Sequence, residues 1–296
     1  MSSVKADEVQ IVMASERRPG KPRNEDSVGA VDTIAFVLDG ASVPKGVESC
    51  CSRTASWYVQ HLAARLVAAL SRETAEPLPH VLARAIGEVA AEHAATCPRI
   101  AEHDALGPSS TVAILRQQDH QLEYLVLGDS MVLVETAEKV DWHCDQRLLK
   151  ISPEVDMQLY QCLAEGRGYG DPEFRRLLVE QTNRERALRN RIDGYWTAGH
   201  EPAAAFESLT GSYQLGDRPG QARRAALLSD GLGRAVMLFG LYDSWEPFLQ
   251  ALAIEGPAAC IAKVRAAEAA DPDGSQYPRE YVSDDASGLV ATFIPV

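Results

Sequence analysis

A chain of 296 residues, 46% of them hydrophobic, has enough apolar material to bury a large core, and its composition excludes a disordered or fibrous class. Its 29 basic and 42 acidic residues leave a formal charge of -13, which repels a phosphate backbone and argues against nucleic acid as a partner. The first ten residues, MSSVKADEVQ, lack a basic segment followed by an apolar one, and no apolar run approaches the roughly 18 residues that span a bilayer, so a single cytoplasmic domain over residues 1–296 with no membrane partner is expected.

Val9, Ile11 and Met13 alternate with polar neighbours and predict a first strand, while residues 34–38 are apolar throughout, as in a strand buried on both faces. Between residues 47 and 70, Cys51, Ala55, Tyr58, Leu62, Leu66 and Leu70 recur every three or four positions and predict one long helix. A second helix is expected from about Pro77, with Leu78, Leu82, Ile86, Val89 and His93 on its core face, ending before Pro98. Residues 111–115, 122–127, 131–134 and 140–144 read as an antiparallel meander, its middle pair joined by the tight Gly128-Asp129 step.

The stretch from about 145 to 220 is rich in Arg, Glu and Gly, with weak helical periodicity over 174–188, and reads as a variable surface insertion. Residues 225–228 and 289–294 return to buried-strand patterns, with helical sequence over 245–270 between them. Strands, two helices, more strands, helices and a last strand argue for an α+β fold with helices layered on antiparallel sheets. The six cysteines (Cys50, Cys51, Cys97, Cys144, Cys162 and Cys260) lack the Cys-x-x-Cys pairs of a zinc site and are too sparse for a disulfide framework, so they read as reduced core or helix residues.

Three apolar runs end in an acid beside glycine or serine: AFVLDG at 35–40, LVLGDS at 125–130 and ALLSDG at 225–230. A carboxylate at the mouth of a buried strand is held rigidly, and an adjacent glycine lets the chain turn with its carbonyl exposed to a cation. Two further acidic pairs, Glu25-Asp26 in RNEDS and Asp284-Asp285 in SDDAS, lie close to predicted strands. Oxygen-rich groups of this kind suit hard cations such as Mg and Mn.

The order RNEDS (23–27), VLDGAS (37–42), GPSSTVAIL (107–115), LGDS (127–130), LSDGL (228–232) and SDDAS (283–287) resembles the metal-dependent protein phosphatase 2C family over nearly the whole chain, and GYWTAGHEPAAAF (194–206) is similar to a stretch of bacterial members. The resemblance implies a four-layer α-β-β-α sandwich of two antiparallel sheets flanked by helices, with two divalent cations, Mn or Mg, at one end. It implies hydrolysis of phosphoserine or phosphothreonine in a phosphorylated protein substrate. Asp39 would bridge both metals and Gly40 would offer its carbonyl to one. Glu25 would serve that metal, Asp230 and Asp284 the other, with Asp26 holding a water and Asp129 and Asp285 further out. Two cations lower the pKa of a bridging water and give a hydroxide for in-line attack on phosphorus, so no cysteine, Ser42 or histidine needs a chemical role. His200 alone, in the bacterial-like stretch, merits notice.

Departures from the family pattern are equally specific. Where an arginine usually binds phosphate stands Lys21, a point charge without a fork-shaped donor, so Lys21 and Arg23 are equal candidates and Arg17 and Arg18 lie near. Arg234 occupies the position of an Asp that serves a third metal in many members, and Ala41-Ser42-Val43-Pro44 replaces the usual glycine pair. These departures motivate two alternatives: a catalytically silent relative that binds phosphoproteins, or a small-molecule phosphohydrolase. An aspartyl-phosphate enzyme is disfavoured, because the chain lacks its Asp-x-Asp-x-Thr motif.

Overall fold

The computed structural model describes residues 8–70, 76–101 and 104–294. Two five-stranded antiparallel sheets stack face to face. The first has the order β1 (Glu8–Glu16), β10 (Ala286–Ile294), β9 (Ala222–Leu228), β6 (Met131–Thr136), β7 (Val140–Cys144). The second has the order β2 (Asp26–Val31), β3 (Ile34–Gly40), β4 (Ser110–Gln118), β5 (Gln121–Leu127), β8 (Leu209–Gln214).

Strand β3 explains why the layers form. Its side chains alternate between faces, so Ala35 and Val37 meet Val132, Leu227 and Leu289 between the sheets. Ile34, Phe36 and Leu38 face the opposite way, into a core shared with α1 (Ala55–Leu70) and α2 (Leu78–Ala94). Both faces are buried, which is why the segment reads as continuously apolar. On the outer side of the first sheet, Met131, Leu133, Ala226 and Val290 pack under α5 (Asp230–Met237), α6 (Trp245–Ile254) and α7 (Pro257–Ala270). The expected α+β sandwich flanked by helices is the one observed.

Five details differ from the sequence-based expectation or refine it. The helix expected over 47–70 begins at Ala55, and residues 47–54 form a loop whose Cys50 N–H donates to the Leu106 carbonyl at 3.1 Å. Cys51 extended the apolar periodicity without being helical. The proposed meander is divided between the sheets: β5 pairs with β4 and β8, whereas β6 pairs with β9 and β7. Gly128-Asp129 therefore passes the chain from one sheet to the other instead of closing a hairpin. A Cβ at Gly128, whose φ is 79°, would lie 2.6 Å from Thr111 Cγ2.

Within the Arg- and Glu-rich stretch, α3 (Pro153–Ala164) and α4 (Pro172–Leu188) bury Val155, Leu159, Phe174 and Leu177 against each other. That stretch also supplies β8, a sheet strand with mostly exposed residues and hence no apolar signature. The last helical segment is two helices, α7 starting after Gly256. Met13, expected on the core face of β1, is half exposed at the sheet edge.

Candidate active site

The acids predicted from scattered motifs meet where strands of both sheets end. Adjacent β2 and β3 place Asp26 directly opposite Asp39. Strand β9 delivers Asp230 to the first turn of α5, where its backbone N–H donates to Asp39 Oδ2 at 3.3 Å. Asp284 and Asp285 immediately precede β10. Asp129, at the crossing from β5 to β6, shares with Asp39, Asp230 and Asp284 a cavity of about 350 Å³.

Desolvation and crowding hold Asp26, Asp39, Asp129 and Asp284 toward their protonated forms. The Asp26 carboxyl is raised well above the ordinary carboxylate range by burial, and Asp285, Asp284 and Asp230 add to it. Asp39 is raised likewise by burial, then by Asp26 and Asp230. Burial and Asp230 push Asp129 up to about 7. Asp284 is pushed up to about 6 by burial, with Arg234 pulling the other way. Among the described residues neither buried Asp26 oxygen has a partner at full hydrogen-bond geometry, Ser287 alone lowering its carboxyl. A dense set of desolvated, partly unpartnered carboxylate oxygens fits divalent cations with hard-oxygen preference.

A pH dependence follows. The native state binds more protons than the unfolded chain above the unfolded carboxylate range of about 4, so stability of protein free of Mn and Mg falls as pH rises from about 4 through about 7. Thermal melts at pH 5 and pH 8 should therefore show a larger stabilisation by Mn at pH 8. An equal gain at both pH values would contradict this electrostatic picture.

Glu25 sits at the N-terminal side of β2, and its side chain bonds the Lys21 ammonium and the Ser42 hydroxyl. Its carbonyl accepts from Gly40 N–H at 3.0 Å, an approach that only glycine allows, since a Cβ at residue 40 would lie 2.5 Å from that oxygen. Asp285 fastens this loop by accepting from Arg18 N–H at 2.6 Å and Glu25 N–H at 2.8 Å. Asp285→Ala strands both donors and should cost about 1–3 kcal/mol in chemical denaturation. A loss below about 0.5 kcal/mol would show that the clamp is dispensable.

The basic residues are placed differently from one another. Of the two equal candidates, Lys21 bonds Glu25 and Arg23 is exposed. Arg18 also approaches the acids: its Nη1 is 4.0 Å from Asp284 Oδ1, its Nη2 donates to Ser42 at 3.4 Å, and it lies 4.7 Å above the Tyr281 ring. Arg17 instead bonds the Lys21 carbonyl at 2.6 Å. Arg234 Nη2 is 2.7 Å from Asp284 Oδ2 and its Nη1 is 3.6 Å from Glu268.

Glu185 and Glu280 also line the cavity, pushed up to about 9 and about 7 by burial and neighbouring acids. Neither belongs to a motif, so no sequence pattern marked them. His200 does not line this cavity; its buried Nε2 lacks a hydrogen-bond partner.

The stacked sheets and the acids gathered at one end of them are similar to known proteins in two comparisons. The family model described as protein phosphatase 2C matches residues 15–152, a span containing Glu25, Asp26, Asp39, Gly40 and Asp129. No curated protein sequence matches the chain significantly. The fold is shared with the Mycobacterium tuberculosis serine/threonine phosphatase PstP (TM-score 0.55, 17% identity, 97% of this chain and 99% of that one). It is shared also with Stp1 of Staphylococcus aureus (TM-score 0.55, 13% identity, 99% and 97%). A PstP catalytic domain in complex with two manganese ions superimposes with TM-score 0.54 at 18% identity, covering 97% of this chain and 99% of that one. The phosphatase 2C resemblance thus holds in the family match and in the fold.

Proposed function

We propose that the chain is a metal-dependent protein serine/threonine phosphatase. The observation that carries this reading is the meeting of Asp26, Asp39, Asp230 and Asp284 in one partly buried, oxygen-rich site. Glu25, Asp26, Asp39, Gly40, Asp230 and Asp284 would hold two divalent cations, Mn as in the PstP complex or Mg. When bound, such cations neutralise phosphate oxygens and activate water for in-line displacement at phosphorus.

The chain's own residues do the positioning. Asp39 and Asp26 are fixed by strand register, and Asp39 further by the Asp230 N–H. Ser42 and Lys21 hold the Glu25 carboxylate in one orientation. Arg18, anchored through its backbone to Asp285 and through its ring contact to Tyr281, presents a forked donor suited to a phosphate. Arg234 supplies a fixed positive charge where many relatives bind another cation, so a two-metal complement suffices. Asp129 stands farther out, beside Asp230.

Residues 1–296 would act as one cytoplasmic domain, with about 145–220 as an insertion whose α3 and α4 wall the cavity and select the phosphorylated protein. Asp156 and Tyr160 on α3 and Gln181 and Glu185 on α4 line that wall. No helix of the described residues is long and apolar enough to cross a membrane. The substrate class is tested by comparing kcat/KM for a phosphothreonine peptide and for p-nitrophenyl phosphate with Mn-loaded protein. A preference for the peptide of about tenfold or more, about 1.4 kcal/mol of added transition-state binding, supports a protein substrate. A preference for the small ester would move the substrate to a small phosphomonoester.

A further inference from the structure

Three cysteines and a histidine that the phosphatase site does not use come together near the start of α1, where the His93 ring lies 5.4 Å from that of Trp57. Cys50 and Cys51 lie in the 47–54 loop, His93 is in the last turn of α2, and Cys97 follows that helix. The four potential ligand atoms all lie within 4.8 Å of one another. Cys51 Sγ is 3.2 Å and Cys50 Sγ 3.8 Å from His93 Nε2, and the two sulfurs are 3.8 Å apart. Ligands on a tetrahedral zinc at ordinary bond lengths would stand about 3.8 Å apart for two sulfurs and about 3.6 Å for sulfur and nitrogen.

We propose that Cys50, Cys51, His93 and Cys97 form a closed structural site for Zn²⁺ or a similar thiolate-preferring divalent metal.

Backbone groups favour the thiolate at two of the three sulfurs. Cys51 Sγ accepts from the Arg53 backbone N–H at 3.4 Å, and the Cys97 thiol, against its burial, is lowered by Cys50, Cys51 and the Ile100 and Arg99 backbone, whereas burial pushes Cys50 up to about 12. Such donors two and three residues beyond a cysteine orient its sulfur and stabilise its charge. Cys50, Cys97 and His93 are buried, and Ile100, Ala94 and Leu106 close over the sulfurs, leaving no open position for substrate. The cysteines are free, as the expectation of reduced residues has it, and the proposal adds a ligand role for Cys50, Cys51 and Cys97. The sequence hid them because adjacent cysteines and a histidine four residues before the third share no common zinc spacing.

Three thiols and a neutral imidazole bind Zn²⁺ with release of up to three protons, giving a complex of charge -1. The metal would staple the 47–54 loop to the end of α2. That loop follows Ser42 and Val43, which line the phosphatase cavity, so the staple braces one wall of it. Soft sulfur ligands separate this site from the oxygen-rich one, which selects Mn or Mg.

The test is elemental analysis of the full chain after Mn and Mg have been dialysed away, together with cobalt substitution. Expected are one zinc per chain, a thiolate-to-cobalt charge-transfer band with intense tetrahedral d–d absorption, and loss of both in Cys51→Ser and Cys97→Ser. Cys162→Ser and Asp39→Asn should retain them. The wild-type stoichiometry and cobalt spectrum need no variant, so misfolding of a mutant leaves the proposal testable. Protein lacking zinc and giving only weak octahedral cobalt bands overturns it. So does a mass spectrum showing Cys50, Cys51 or Cys97 in a disulfide.

Discussion

Asp39→Asn is expected to lower Mn-dependent phosphatase activity by about a thousandfold or more while making the metal-free protein more stable. The first effect removes a carboxylate that both metals would share; losing several kcal/mol of charge stabilisation at the phosphate corresponds to a factor of that order. The second effect has the opposite sign because Asp39 is partly buried and crowded by Asp26 and Asp230, so an uncharged isostere relieves repulsion. A rise in Tm of about 2–4 °C in protein free of Mn and Mg is expected, consistent with about 1 kcal/mol. Activity assays and thermal melts on the same preparation check both halves. A mutant that is inactive and also less stable would assign Asp39 a packing role instead.

Arg234→Ala should produce the other large effect. Arg234 is largely but not fully buried, its side chain 12% exposed, and although desolvation opposes its charge, Asp284, Asp230, Glu268 and Glu280 together hold it firmly protonated. Removing it leaves Asp284 and the almost fully buried Glu268 short of a cation. Breaking a buried pair in this way typically costs about 3–5 kcal/mol, because the surviving charge remains desolvated. Arg265 still contacts Glu268 at 2.7 Å, which places the expected loss near the lower figure. Excess Mn should restore part of the stability by supplying the missing positive charge, and kcat/KM should fall even at saturating metal. Unchanged kinetics and a stability loss below about 1 kcal/mol would show that Arg234 does not stand in for a cation.

Some of this was legible in the sequence because the physical constraint is local. A strand buried on both faces must be apolar throughout, so residues 34–38 announced β3, and an acid at its mouth announced Asp39. The acidic motifs also preserved their order, which tied distant segments into one expected site before any geometry was known.

What escaped depends on contacts between segments. Nothing in LVLGDS distinguishes a hairpin from a crossing between sheets, since both need a positive-φ glycine; the pairing of β6 with β9 decides it. Strand β8 carries Thr210, Gly211 and Ser212 on an exposed edge, so alternation gave no signal. The approach of Arg18 to the acids rests on Asp285, 267 residues away, taking the Arg18 N–H. The cysteine cluster likewise joins a loop to the end of a helix through side chains separated by more than forty residues.

The most direct measurement is a titration of Mn-free, Mg-free protein with Mn, following bound metal and phosphate release from a phosphothreonine peptide in the same samples. The account predicts negligible turnover without added metal, then activity that rises with occupancy of two oxygen-ligand sites and is absent at the same metal concentrations in Asp39→Asn. Turnover that is independent of added Mn or Mg, or two-metal binding that survives unchanged in Asp39→Asn, would contradict it.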